Sequence, residues 1–169
     1  MDRTIRDFHR EDFEFLWRID QRCFAPGISY SRPELLTYIR MPGSFTLVVE
    51  SRAAGQSSSV GDFGSDTTIE AFLVAHANPR GEGHIITIDV LPHARRAGVG
   101  SMLMDGAEER FRQGGCSVVR LETAVNNTAA LAFYKRRRYV VEKTIPRYYP
   151  DGVDALVLKK DLHLGAGEN

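Results

Sequence analysis

The chain has 169 residues, with 22 basic and 22 acidic side chains, 43% hydrophobic and 26% charged content, and no formal net charge. This length suits one domain with a sizeable core. The neutral balance carries no electrostatic footprint of a nucleic-acid or membrane binder, and no apolar run approaches the roughly 20 residues a membrane-spanning helix needs.

Residues 4–8 read as a first strand. The opening residues have no signal-like apolar core, so the expected setting is cytoplasmic. Residues 12–24 carry Phe13, Leu16, Trp17 and Phe24 near one helical face. Phe24-Ala25-Pro26-Gly27-Ile28-Ser29-Tyr30 breaks that helix. In Ser31-Arg32-Pro33-Glu34, Ser31 can cap a helix, Glu34 can reach back, and Pro33 fits the first turn. This predicts a second helix through Ile39. Residues 45–50 and 69–75 read as strands, and the Ser- and Gly-rich residues 51–68 between them as a mobile hairpin loop.

Residues 84–90 form the next strand, on the β-branched run Ile85-Ile86-Thr87-Ile88-Asp89-Val90. Leu91-Pro92-His93-Ala94 and then Arg95-Arg96-Ala97-Gly98-Val99-Gly100 follow. Two glycines one residue apart let the backbone turn tightly and leave its N–H groups uncovered. A helix over 101–112 would aim those groups and its positive dipole end at an anion in the turn. Strand, cradle and helix in this order suit the pyrophosphate of a nucleotide-tailed cofactor. A dinucleotide fingerprint would place a third Gly where this chain has Leu103.

In the helix, Leu103, Met104, Ala107 and Phe111 make an apolar stripe, ended by Gln113-Gly114-Gly115. Residues 118–124 read as a strand and 128–137 as a helix that Asn127 can cap. Residues 139–143 and 153–159 are the last strands. Residues 1–164 then form one domain, with a frayed tail at 165–169. Elements in this order predict a three-layer α/β fold around a mixed sheet. The five histidines show no metal-ligand spacing, so no metal is expected. Cys23 and Cys116, only two and far apart, read as small core residues of a reduced protein.

Arg95-x-x-Gly98-x-Gly100 resembles the Arg/Gln-x-x-Gly-x-Gly/Ala motif of the GNAT superfamily of N-acetyltransferases, whose loop binds the pyrophosphate of acetyl-coenzyme A. The stretch from Leu121-Glu122-Thr123-Ala124 through Asn127 and Ala130 to Tyr134 is similar to the Leu-Glu-Val-Arg-x-Ser-Asn-x-x-Ala-x-x-x-Tyr pattern of one branch. That branch acetylates protein N-termini, including the alanine of a bacterial ribosomal protein. Arg147-Tyr148-Tyr149-Pro150-Asp151-Gly152 resembles its Tyr-Tyr segment, and Phe24 through Ser31 its first helix-to-helix loop.

The resemblance implies a GNAT-like α-β-α fold with a mixed, mostly antiparallel sheet of six or seven strands and about four helices. It implies transfer of acetyl from acetyl-coenzyme A to a primary amine by direct attack in a ternary complex, since no cysteine sits in the motif. The first choice of acceptor is the α-amino group of a peptide or protein N-terminus. A small amine (polyamine, amino acid or antibiotic) is the alternative, and a non-catalytic acyl-coenzyme-A-binding module is the rival of another class. A monomer or homodimer is expected, with no nucleic-acid or membrane partner.

By the same resemblance Glu122 is the general base and Tyr134 the general acid. From the residues alone, Glu122 also reads as a solvent-facing strand residue and Tyr134 as core. The backbone of Ile88, Asp89 and Val90 would hold the acetyl and pantetheine by extending the sheet. Splaying from the Glu122 strand would leave room for the thioester, with an N–H near Val90 as oxyanion donor. Arg95, Arg96, Ala97, Gly98, Val99, Gly100 and Ser101 make the phosphate cradle, with Arg95 supporting the loop or the phosphates. Asn127, Ala130 and Tyr134 also contact the cofactor, while Tyr30, Tyr148 and Tyr149 line the acceptor site. Lys135-Arg136-Arg137-Arg138 is either a solvated helix face or a contact for phosphates or an acidic partner. Where the family has Gly-Phe after this helix, this chain has Arg138-Tyr139.

Overall fold

The computed structural model describes residues 2–52 and 67–163. In chain order the elements are β1 (Asp2–Asp7), α1 (Phe13–Cys23), α2 (Arg32–Arg40), β2 (Ser44–Arg52), β3 (Thr67–Ala77), β4 (Glu82–Val90), α3 (Val99–Gln113), β5 (Val118–Ala124), α4 (Thr128–Arg136), β6 (Val140–Ile145) and β7 (Ala155–Asp161). The strands form one sheet in the order β1-β2-β3-β4-β5-β7-β6. Every pairing is antiparallel except β4 with β5. The hairpin loop expected at 51–68 falls outside the described residues over 53–66, as does the tail. Among the described residues, no helix is long and apolar enough to cross a membrane and no cluster of His, Cys, Asp or Glu could hold a metal ion.

Alternation along the strands builds a core on each face. Leu47, Leu73, Ile85, Val119 and Leu121 pack with Leu103, Met104, Ala107 and Phe111 of α3 and with Tyr134 of α4. Val48, Phe72 and Val74 point the other way, onto Leu16 and Ile19 of α1 and Leu35 of α2. The predicted stripe of α3 is thus buried. On α1 the buried residues are Leu16, Ile19 and Asp20. Phe24, expected on that face, turns out of the helix into an extended conformation. The Ser31 cap forms as predicted: Ser31 Oγ accepts from the Glu34 N–H, and Glu34 Oε2 accepts from the Ser31 N–H at 2.8 Å.

Strands β4 and β5 pair only over Glu82–Val118, Gly83–Val119 and His84–Arg120, then part. Two features accompany the parting. β5 is paired along its whole length with β7, from Val118–Asp161 to Ala124–Ala155. In β4, Ile86 is an extra residue between the pairs Ala75–Ile85 and Val74–Thr87, a bulge that bends the strand.

The Arg138 position keeps the shape its missing glycine would have given. Arg138 takes φ +68°. Its N–H reaches the Lys135 carbonyl and the Tyr139 N–H reaches the Tyr134 carbonyl, both at 3.0 Å, which is a Schellman cap. The Tyr134 and Tyr139 rings, 5.7 Å apart, add the usual apolar contact across it. A left-handed non-glycine residue is strained, so Arg138→Gly is expected to stabilise the fold by about 1 kcal/mol. A melting temperature raised by about 2–4 °C is the expected reading, and a lowered one contradicts it.

Candidate active site between the parting strands

The wedge between β4 and β5 is lined by main chain. The Leu91 N–H bonds the Glu70 carbonyl at 3.0 Å, which makes Leu91–Glu70 a hydrogen-bonded pair. Pairs alternate along an antiparallel ladder, so Val90–Ala71 and Ile88–Leu73 are not hydrogen-bonded. The N–H and C=O groups of Val90 and Ile88 therefore face away from β3, into the wedge. Asp89, expected among the cofactor contacts, is turned away from it. Its main chain pairs with Phe72 of β3, and its buried side chain accepts from Thr87 Oγ1 at 2.6 Å.

Beyond β4 the chain makes a 3-10 turn over Pro92–Ala94 and enters α3 through left-handed Arg96 and Gly98. Gly98 is required by its φ of +79°, since a Cβ there would meet nothing. At Gly100 a Cβ would stand 3.4 Å from the Phe133 ring, an ordinary contact. The first helical bond runs from the Met102 N–H to the Gly98 carbonyl, and Gly98 has no side chain to cap the end. This leaves the N–H groups of Val99, Gly100 and Ser101 without helical partners at the positive end of α3. Arg95 Nε donates to the Val90 carbonyl at 2.9 Å, so this side chain braces the loop against the wedge. Arg96 and Ala97 are exposed at the loop tip. Uncovered amides at the loop and strand-like main chain in the wedge fit a pyrophosphate joined to an amide-bearing arm.

Asn127 Oδ1 accepts from the Ala130 N–H at 3.2 Å, so Asn127 is the α4 cap. One turn beyond Ala130, Tyr134 is buried between Phe133 and Tyr139. Burial, with Tyr149 and Asp89 nearby, pushes its hydroxyl far above the ordinary tyrosine value, so it stays protonated.

Glu122 of β5 points to the sheet face opposite Leu121. Its Oε2 lies 2.7 Å from Nε2 of His84, the last residue at which β4 and β5 pair. A carboxylate only accepts, so His84 Nε2 donates. His84 was not singled out from the sequence, because nothing near it marks a partner 38 residues away.

Three tyrosines gather on the same side. Tyr148 and Tyr149 stack edge-to-face at 5.0 Å. Burial raises the Tyr148 hydroxyl pKa, and the negative charge of Glu122 adds to it. Tyr149 is pushed up to about 12 by burial, then by Tyr148 and Glu122. Tyr30 stacks on Tyr38 at 5.2 Å, and burial chiefly raises it, with Tyr38 and Tyr148 contributing. The loop joining β6 and β7 thus lies beside Glu122, and its Tyr148 is near Tyr30 of the loop joining α1 and α2.

The basic run divides. Arg137, half-expected to contact phosphate, is bound to Asp105 at 2.6 Å and Glu108 at 3.3 Å. Glu108 is buried and also accepts from Tyr139 Oη and Lys160 Nζ, so Arg137 belongs to a structural cluster. Lys135, Arg136 and Arg138 lie at the surface, Arg136 and Arg138 lining the same cavity as that cluster.

The acetyltransferase (GNAT) family model matches residues 13–138. An uncharacterized N-acetyltransferase of Methanocaldococcus jannaschii is 38% identical over 81 residues, which are 47% of this chain and 52% of that protein. N-alpha-acetyltransferase 30 of Homo sapiens is 40% identical over 77 residues, 46% of this chain and 21% of that protein. The matched segment therefore spans about half the length of the first relative and about a fifth of the second. The structure of Ard1 from Thermoplasma volcanium superposes with a TM-score of 0.79 at 30% identity, covering 95% of this chain and 98% of that one. With its glycine loop and parted strands inside the matched region, the chain belongs to the acetyltransferase (GNAT) family.

Proposed function

We propose that this chain transfers acetyl from acetyl-coenzyme A to the α-amino group of a peptide or protein N-terminus by direct attack. The observation that carries the reading is the Glu122–His84 pair at the mouth of the wedge, with Tyr148 and Tyr149 beside it. The relatives named N-alpha-acetyltransferase support the choice of acceptor.

Acetyl-coenzyme A, when bound, supplies the thioester carbonyl. The N–H groups of Val99, Gly100 and Ser101 would hold its pyrophosphate, and the main chain of Ile88 and Val90 its pantetheine arm. The Val90 N–H is the available donor for charge developing on the carbonyl oxygen. Glu122 takes a proton from the incoming ammonium. His84, whose Nε2–H donates to Glu122 Oε2, orients that carboxylate, and Glu122, itself 22% exposed, returns the proton to solvent. An α-amino group has a pKa near 8 and a lysine near 10.4, so freeing a lysine costs about 3 kcal/mol more at one pH. A carboxylate base open to water suits the easier amine. Tyr134 donates a proton to the departing sulfur.

Thiol release from acetyl-coenzyme A tests the reading with three acceptor groups: peptides beginning with Ala, Ser, Met or Thr, N-blocked lysine peptides, and small amines including a polyamine. Release with the free N-termini and none with blocked peptides is expected. Release with small amines alone overturns the acceptor assignment. No release from any of them, with acetyl-coenzyme A bound, overturns catalysis in favour of a binding module.

A further inference from the structure

Buried carboxyl oxygens need donors. Asp20 of α1 is fully buried and Asp89 of β4 is 1% exposed, and each is only half satisfied. Asp20 Oδ2 accepts from the Tyr30 N–H at 2.8 Å and from Gln21 Nε2 at 3.1 Å. Asp89 Oδ1 accepts from Thr87 Oγ1 at 2.6 Å. Asp20 Oδ1 and Asp89 Oδ2 are buried without a donor, and the two carboxyls are within hydrogen-bond reach of each other. One proton placed between them satisfies both orphaned oxygens.

We propose that Asp20 and Asp89 share one proton, and that this acid–carboxylate pair latches the α1–α2 loop, and with it Tyr30, onto β4 beside the wedge. The pair touches no substrate; it positions one wall of the acceptor site.

The attachments of the loop support this role. The Tyr30 N–H is held by Asp20, and the Tyr30 carbonyl by Trp17 Nε1 at 3.1 Å and Gln21 Nε2 at 2.8 Å. Asp89 immediately precedes Val90, whose main chain faces the wedge. One carboxyl therefore grips the acceptor loop and the other lies in the strand of the acetyl site.

Among the described residues Arg95 is a cation near the pair, but it bonds neither orphaned oxygen. Besides Thr87 and Gln21, the pair feels Cys23 on α1, Glu34 of α2, Arg95 of the glycine loop, and the Tyr30 and Tyr134 hydroxyls. Glu34 is negative. Burial, then the charge of Asp89, pushes the Cys23 thiol up to about 11, so it stays neutral. Arg95 directs its Nε to the Val90 carbonyl. Burial raises Asp20 to about 6 and Asp89 well above the usual carboxylate range. Near neutral pH the pair then holds one proton, and its titration belongs to the pair rather than to either residue.

The pH dependence has a definite sign. Unfolded, both carboxyls ionise in the ordinary acidic range, while the native pair keeps its proton. The native state therefore binds more protons, and this contribution to stability fades as pH rises. Losing the shared proton leaves two negative charges on buried atoms, which releases the latch. Asp89→Asn sets an amide N–H against Asp20 Oδ1 at every pH.

Trp17 is the chain's one tryptophan, and its indole N–H is bonded to the loop, so its emission reports the latch. The wild type is expected to show a reversible change in emission at alkaline pH, before global unfolding. Asp89→Asn should lack that change and should gain melting temperature over the wild type as pH rises. With an N-terminal peptide as acceptor, the wild-type to Asp89→Asn ratio of acceptor KM should rise at least about threefold between pH 7 and 9, while the kcat and acetyl-coenzyme A KM ratios stay flat. Taking ratios on one peptide cancels the ionisation of the peptide itself. Superimposable emission profiles for the two proteins overturn the proposal, as does an Asp89→Asn protein that loses stability relative to the wild type at pH 9. Should that variant not fold, infrared spectroscopy of the wild type decides: a buried protonated-carboxyl band persisting at pH 8 is expected, and its absence overturns the shared proton. Only the KM comparison rests on the proposed peptide acceptor; the emission, melting and infrared readings need none, so the two proposals fail separately.

Discussion

Tyr134→Phe is expected to lower turnover by about 100-fold or more while acetyl-coenzyme A affinity stays within about twofold. The ring is held by Phe133 and Tyr139, and phenylalanine preserves both contacts. Only the hydroxyl is lost. In the native protein burial keeps that hydroxyl protonated, which is the state a proton donor to the departing sulfur needs. Kcat from thiol release and affinity from equilibrium titration separate chemistry from binding. Unchanged turnover removes Tyr134 as the acid and leaves it a core residue.

Glu122→Gln is expected to lower kcat/KM by about 100-fold near neutral pH. The sign of its pH effect follows from the role. A base works ionised, so the wild-type rate carries an added limb on the acidic side. With an amide in place of the carboxylate, the remaining rate follows only the free-amine fraction of the acceptor, and that added limb disappears. His84→Ala should cost less, about tenfold, and adding it to Glu122→Gln should cost almost nothing more, because the two side chains act as one hydrogen-bonded unit. Additive losses would mean that they work separately, and an acidic limb surviving in Glu122→Gln would assign the base to another group.

The parts of the fold written in local chemistry were legible. Ser31 and Glu34 cap α2, the stripe from Leu103 to Phe111 buries α3, and the Gly98–Gly100 turn delivers uncovered amides because Gly98 supplies its left-handed conformation. The ends of elements were less legible. Helical spacing runs on to Phe24, but the chain has already turned extended there. β3 reaches Ala77, past the predicted end, because Gly83 pairs with it from β4.

For the candidate site the sequence offers residues but not their geometry. Reading Ile88, Asp89 and Val90 as one unit missed that a strand sends alternate residues to opposite neighbours, so Asp89 faces β3 and α1 while the other two face the wedge. The parting of β4 from β5 goes with a bulge at Ile86 and with the β5–β7 ladder, which joins elements far apart in sequence. His84 with Glu122, and Asp20 with Asp89, are contacts between elements far apart in sequence, and each residue alone looks like an ordinary polar position. Arg137 reads as one charge in a run of four, but it is committed to a buried carboxylate on α3.

The most direct test of the central claim is to locate the acetyl group after reaction with a peptide that has a free α-amino group and one lysine. Fragmentation mass spectrometry reads both positions in the same molecule, at the same acceptor concentration. Acetyl on the first residue, with the lysine unmodified and the yield falling in Tyr134→Phe and Glu122→Gln, is the predicted result. Acetyl on the lysine, or acetyl on the first residue at an undiminished rate in both variants, would contradict the account.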